Sequence, residues 1–213
     1  MEHDAAMTLL KILYLILPIL LAGLCNMIFV KLPLLKQLKT PLDGKRLWRD
    51  GMRVLGDNKT VKGFIGMVVF TALWFGLFHW LAHSFDSAHA WSLIPYRQFS
   101  AVAALGYGAL WGLGYVLAEL PNSFIKRRLD IAPGKNSHGA TRPLFIFFDQ
   151  ADSVIGCLLA MLVFYAPPWP MLAAIGAVAG LSVPLGFGIV SYHDQASNLQ
   201  FRADLVAERI AEY

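Results

Sequence analysis

Five long apolar runs set the limits on what this 213-residue chain can become. Residues 7–30 carry a single charge, Lys11, and residues 64–81 carry His79 as their only ionisable group. Residues 99–117 and 171–190 carry no charge, and residues 144–166 carry Asp149 and Asp152. A helix needs about 20 predominantly apolar residues to cross a bilayer, because every backbone polar group must pair within the segment. Each run lies close to that length, so the sequence predicts an all-α, polytopic integral membrane protein. About five transmembrane helices would form a single membrane-embedded domain over residues 1–213. Composition agrees, since only 15% of residues are charged against about 25% in ordinary soluble domains.

Loop charge gives the direction. Nine Lys and Arg residues fall between the first two runs and five between the third and fourth. The connection 82–98 has only Arg97, and 167–170 has none. Basic loops stay on the cytoplasmic side. The chain is therefore expected to start outside, with loops 31–63 and 118–143 and the tail 191–213 in the cytoplasm, as a multi-pass protein of the inner (cytoplasmic) membrane. The first run follows acidic Glu2 and Asp4 and exceeds the apolar core of a signal peptide, so it reads as a retained helix. Cys25 and Cys157 sit inside apolar runs and read as small core residues. The basic residues lie between spans and form no domain of their own, which argues against nucleic-acid binding.

Other features read as structural. Gly106, Gly108, Gly112 and Gly114 on the third span permit close approach by a neighbouring helix, or a homodimer. Pro167-Pro168-Trp169-Pro170 closes a tight hairpin between the fourth and fifth spans. His79, His83, Asp86 and His89 lie on the outer side, where interfacial histidines are a simpler account than a metal site. The tail sets Leu199, Phe201, Leu205, Val206 and Ile210 along one apolar side, as a surface helix would.

The chemistry centres on the fourth run. Burying carboxylates among apolar residues costs a few kcal/mol each, so such groups are functional by default. Asp149 and Asp152 stand three residues apart on one helical face and could hold Mg²⁺, a hard cation bound by one or two carboxylates with phosphates and water. An ion pair with Arg142 or Lys126 is the structural alternative. Upstream, Asn122-Ser123-Phe124-Ile125-Lys126-Arg127-Arg128 brings cations to the inner end of the third span. Glu119 beside them reads as an ion-pair partner of Lys126 or Lys59, with contact to the metal as the alternative. Pro133-Gly134 supplies a turn whose amides can approach a phosphate. Before the second span, Gly56-Asp57-Asn58-Lys59-Thr60-Val61-Lys62-Gly63 offers Asp57 or Asn58 as a helix cap, with Lys59 and Lys62 on one face.

The order Ser123-Phe124-Ile125-Lys126-Arg127, then Pro133-Gly134, then Asp149-Gln150-Ala151-Asp152 resembles the signature of CTP:phosphatidate cytidylyltransferases. The Gly56-to-Thr60 block, the Asn122-Ser123 start and the short chain are more similar to the CDP-archaeol synthase branch. The resemblance covers roughly residues 55–156. It implies a membrane transferase in which Asp149 and Asp152 bind catalytic Mg²⁺ and Lys126 and Arg127 contact phosphates. Asn58, Lys59, Thr60, Lys62, Ser123 and Gly134 would complete the nucleotide site. The implied reaction joins CTP to a lipid phosphate, releasing pyrophosphate and leaving a CDP-lipid. Gln150 and the spacing around His138-Gly139 depart from the phosphatidate pattern, leaving archaeol phosphate and phosphatidate both open as acceptors. The competing reading is a small transporter using the aspartate pair as an ion or proton site.

Overall fold

The computed structural model describes residues 2–131 and 142–181, with side chains described for 4–131 and 151–181. Its helices are α1 (Glu2–Lys31), α2 (Val61–Ser84), α3 (Asp86–Trp91), α4 (Ala101–Arg128), α5 (Arg142–Met161) and α6 (Trp169–Leu181). Among the described residues, β pairing is limited to two isolated bridges, Pro41 with Thr60 and Leu47 with Arg53. The architecture is all-helical.

Helices α1, α2 and α4 are long and apolar enough to cross a membrane, yet only 33%, 33% and 28% of their most apolar stretches are buried within the bundle. Leu13, Leu17, Leu73, Leu77 and Val102 point outward instead. Leaving such side chains in water forfeits about 1.5–3 kcal/mol each relative to burial, so these faces belong against lipid. Among the described residues, three helices thus meet the requirement for a span where the apolar runs predict five. The described apolar part of α5, Ala151–Met161, and α6 are shorter. Residues 182–190 of the fifth run and the tail 191–213 lie outside the described residues.

Two helix ends differ from the sequence reading. The third run predicts an end at residue 117, but α4 continues to Arg128 through Pro121. Hydropathy falls after Leu117 because the last turns are polar, yet Ser123, Lys126 and Arg127 are buried there by neighbouring segments. The helix stops where Ile131 N donates to Lys126 O at 3.0 Å and Asp130 N to Arg127 O at 3.2 Å, with Asp130 at φ 54°. This pairing of a left-handed residue with 6→1 and 5→2 bonds satisfies the last carbonyls. The fourth run predicts helix to residue 166, but α5 ends at Met161. There Phe164 N and Tyr165 N both donate to Met161 O, at 3.0 and 2.8 Å. The tightened chain carries the Phe164 ring onto Phe75 and Trp111, at centroid distances of 5.2 and 5.7 Å.

Helix α4 is central, packed on α2 and on α5, while α1 lies against α2. Glycine makes these contacts possible. A Cβ on Gly108 or Gly112 would stand 2.8 or 2.9 Å from the α2 carbonyl oxygens of Thr71 and Met67. Gly114 meets Gly156 of α5 back to back, where a Cβ on Gly156 would lie 2.2 Å from the Gly114 oxygen. Three of the four glycines proposed for a close helix neighbour are therefore used inside the chain, and Gly106 alone of the four meets nothing among the described residues.

Candidate active site

Thr60 begins the site by ending the preceding loop. Its hydroxyl accepts from Gly63 N at 3.1 Å and caps α2, so neither Asp57 nor Asn58 is the cap expected from sequence. The reason is that Asp57 is turned away, accepting from Arg53 Nη1 at 3.0 Å, while Asn58 is exposed. Lys59 and Lys62 also part company. Lys62 is buried, donating to the Leu32 carbonyl at 2.7 Å with its ammonium 4.5 Å from the Phe29 ring centroid. Lys59 crosses instead to Glu119 on α4 and forms an ion pair. Of the partners open to Glu119 in the sequence, the fold joins it to Lys59.

From Glu119 a polar network continues into α5. The Ser153 hydroxyl lies 3.2 Å from Glu119 Oε1 and 3.1 Å from Asp152 Oδ1. Asp152 Oδ1 also accepts from Ser153 N at 2.5 Å, and Oδ2 accepts from Asn122 Nδ2 at 2.9 Å. Glu119, Asn122 and Lys126 recur at helical spacing, so one face of α4 presents carboxylate, amide and cation toward α5 and the loop. A serine hydroxyl has one proton and can serve only one of two carboxylates at a time. Two acidic groups around one proton leave oxygen lone pairs that a hard divalent cation would match. The residues present fit Mg²⁺ in donor chemistry, although no group of three His, Cys, Asp or Glu gathers among the described residues.

The cations stand near the same end of the bundle. Lys126 and Arg127 are buried, and the Arg127 Nε has no hydrogen-bond partner among the described residues. A buried, unsatisfied guanidinium nitrogen is costly unless an anion arrives to meet it. Ser123 is buried on the same helix. Arg128 ties this helix end to the loop, with Nε 2.7 Å from Asp50 Oδ2, a hydrogen bond to the Arg53 carbonyl, and its guanidinium 4.5 Å from the Phe124 ring centroid. The side chain of Asp149, and all of Gly134, lie outside what is described.

Sequence reasoning missed Ser153, Asp43 and Arg53. Ser153 follows Asp152 directly, and its position on both carboxylates depends on α4 packing that no local pattern encodes. Asp43 accepts from Arg53 Nε and Nη2 at 3.1 and 2.8 Å and from the Lys45, Leu55 and Gly56 amides. Burial pushes this carboxyl up, but hydrogen bonds from Arg53, Leu55 and Lys45 outweigh it and hold the pKa at about 2. The available signal was Asp43-Gly44, a turn-forming pair inside a basic loop.

At the C-terminal end of α2, His79 Nε2 is 2.9 Å from the Phe99 carbonyl, His83 Nδ1 is 2.9 Å from the His79 carbonyl, and Asp86 pairs with Arg97. Each has a local structural partner.

Lipid-facing helices that gather two carboxylates, an amide and buried cations at one end define an intramembrane protein with a polar cluster at that end of its bundle. Comparison with known proteins narrows the class. The CarS-like CDP-archaeol synthase family model matches residues 6–200, and the chain belongs to that family. A CDP-archaeol synthase of Methanoculleus marisnigri is 38% identical over 61% of this chain and 67% of its own length. One from Archaeoglobus fulgidus is 30% identical over 72% of this chain and 79% of its own. A third, from Methanosphaerula palustris, is 36% identical over 58% of this chain and 64% of its own, so the matched part spans about two thirds of such relatives. A solved intramembrane enzyme for archaeal membrane lipids biosynthesis shares the fold, with a TM-score of 0.54 at 23% identity over 83% of this chain and 92% of its own.

Proposed function

We infer that this protein is a CTP-dependent cytidylyltransferase that activates a lipid phosphate to a CDP-lipid, with archaeol phosphate as the acceptor. An oxygen of the lipid phosphate attacks the α-phosphorus of CTP, the bond to the β-phosphate oxygen breaks, and pyrophosphate leaves. The observation that carries the reading is the carboxylate network of Asp152, Ser153 and Glu119 on helices whose buried cations include Arg127, with an Nε that has no hydrogen-bond partner among the described residues. Family membership supports the same chemistry and sets aside the transporter alternative.

In this reading Lys126 and Arg127 contact phosphates, while Ser123, Asn58, Lys59 and Gly134 line the nucleotide. Thr60 and Lys62 hold the segment that carries Asn58 and Lys59, through the helix cap and the bond to Leu32. Asp149 and Asp152 would hold Mg²⁺, which when bound supplies charge neutralisation to the triphosphate and its leaving group. Phosphoryl transfer of this kind depends on positioning and electrostatics more than on covalent help from the protein. Ser153 also borders an apolar cavity of about 50 Å³ walled by Ile16, Trp111, Cys157, Met161 and Ile175, a surface suited to hydrocarbon next to the polar cluster. The five apolar runs support five spans, and the basic loops 31–63 and 118–143 support an outer N-terminus and a site open to the cytoplasm.

The test is transfer of label from α-labelled CTP into extractable lipid by the purified protein with Mg²⁺, comparing archaeol phosphate with phosphatidate. Asp152→Asn is expected to abolish incorporation while the protein remains folded. Near-normal incorporation in that variant would remove the metal assignment.

A further inference from the structure

The loop between α1 and α2 contains a buried carboxylate that no motif drew attention to. The Asp43 side chain is 1% exposed, on a loop otherwise rich in exposed residues. Five donors converge on it. Lys45 N and Arg53 Nη2 reach Oδ1 at 3.0 and 2.8 Å, while Arg53 Nε, Leu55 N and Gly56 N reach Oδ2 at 3.1, 3.0 and 3.3 Å. Gly56 sits at φ 128°, a conformation that side chains disfavour, so the amide can turn inward only because glycine stands there.

The two amides belong to the residues directly ahead of Asp57-Asn58-Lys59. Beyond that segment the chain is held again, since Leu42 N donates to Lys59 O at 2.8 Å and Val61 N to Thr40 O at 2.9 Å. Residues 55–61 are thus clamped at both ends by residues 40–43. Arg53 extends the clamp in two directions. Its Nη1 binds Asp57 at 3.0 Å, and its carbonyl accepts from Arg128, which also pairs with Asp50. One carboxylate therefore sets the placement of Asn58 and Lys59 relative to the helix end bearing Lys126 and Arg127. A polyphosphate can engage both cation groups only if that spacing holds.

We propose that Asp43 is the positioning residue of the nucleotide site. It contacts no substrate and acts through Arg53 and the Leu55 and Gly56 amides to aim Asn58 and Lys59 at the triphosphate. The proposal rests on the cytidylyltransferase reading, and it predicts an effect on CTP rather than on the lipid acceptor.

The experiment uses the full chain in lipid nanodiscs, comparing wild type with Asp43→Asn and the milder Arg53→Lys. The KM for CTP should rise about tenfold or more in Asp43→Asn, the value of one misaligned charge-assisted hydrogen bond. The KM for the lipid phosphate should stay within about twofold, and Arg53→Lys should fall between the two proteins. Hydrogen exchange at residues 55–61 should quicken in both variants while α1 is unaffected. Equal rises in both KM values with a lowered unfolding temperature would reduce Asp43 to a structural residue and overturn the proposal. So would an unchanged KM for CTP alongside faster exchange. A wild-type protein that binds no CTP, with residues 55–61 protected and released by Asp43→Asn, would sink the cytidylyltransferase reading while leaving the clamp intact.

Discussion

Replacing Gly156 by alanine tests whether helix packing sets the geometry of the site. The added Cβ would lie 2.2 Å from the Gly114 carbonyl oxygen and 2.4 Å from the Ala118 Cβ. Non-bonded heavy atoms rest at about 3.5–4.0 Å, so α4 and α5 must separate by about 1 Å or more at this level. Backbone carbonyl cannot swing aside as a side chain can. Asp152 lies four residues before Gly156 on the same face of α5, one turn away. An outward shift of about 1 Å there would stretch the 2.9 Å bond from Asn122 to Asp152 beyond hydrogen-bonding range. Overpacking of this kind costs about 1–3 kcal/mol in stability, and an error of about 1 Å at a reacting centre costs about a hundredfold in rate. The assay is CTP-dependent labelling of lipid, paired with thermal unfolding in detergent. Gly106→Ala is the control, because its new methyl meets nothing within 4 Å among the described residues. Activity within twofold of wild type and an unshifted unfolding midpoint in Gly156→Ala would refute the argument.

Other consequences are accessible to simpler measurements. Thr60→Ala removes the cap of α2 and should cost about 1 kcal/mol of stability, read from chemical or thermal unfolding, with Thr60→Ser restoring it. Arg128→Gln breaks the link to Asp50 and the stacking on Phe124, and should speed proteolysis of the 40–60 loop without unfolding α1. Because the folded pKa of Asp43 is lowered to about 2, its contribution of roughly 2 kcal/mol is complete above the ordinary carboxylate value near 4 and is lost as pH falls through about 2. Pepsin cleavage of the loop should therefore rise between pH 4 and pH 2 in wild type. In Asp43→Asn the loop should be open throughout, and identical pH profiles for the two proteins would contradict this.

Much of the architecture is readable from local pattern. A run of apolar residues reports its own environment, so α1 and α2 lie where hydropathy puts them, with ends shifted by a few residues. The method fails at α4, whose final turns carry Glu119, Asn122, Lys126 and Arg127 and lose the apolar signal. Those residues are helical because other segments bury them. Phe164 fails differently, since the helix breaks early to place its ring in an aromatic cluster contributed by α2 and α4.

The candidate site divides along the same line. Ordered motifs, charge near the membrane boundary and an i, i+3 aspartate pair are properties of the chain read in one dimension, and the family resemblance those motifs carry points to CTP and a lipid phosphate. Which cation meets which carboxylate is a matter of three-dimensional distance. Lys59 and Glu119 are separated by 60 positions, and Asn122 and Asp152 by 30, yet both pairs are direct contacts. The sequence by itself determined a helical membrane protein and the residue types of its candidate site, because transfer into lipid and helical spacing act locally. Only the tertiary structure decided that Lys62 serves α1, that Lys59 serves Glu119, and that Asp43 organises the loop between them, because electrostatic and hydrogen-bond partners are selected by packing between distant segments.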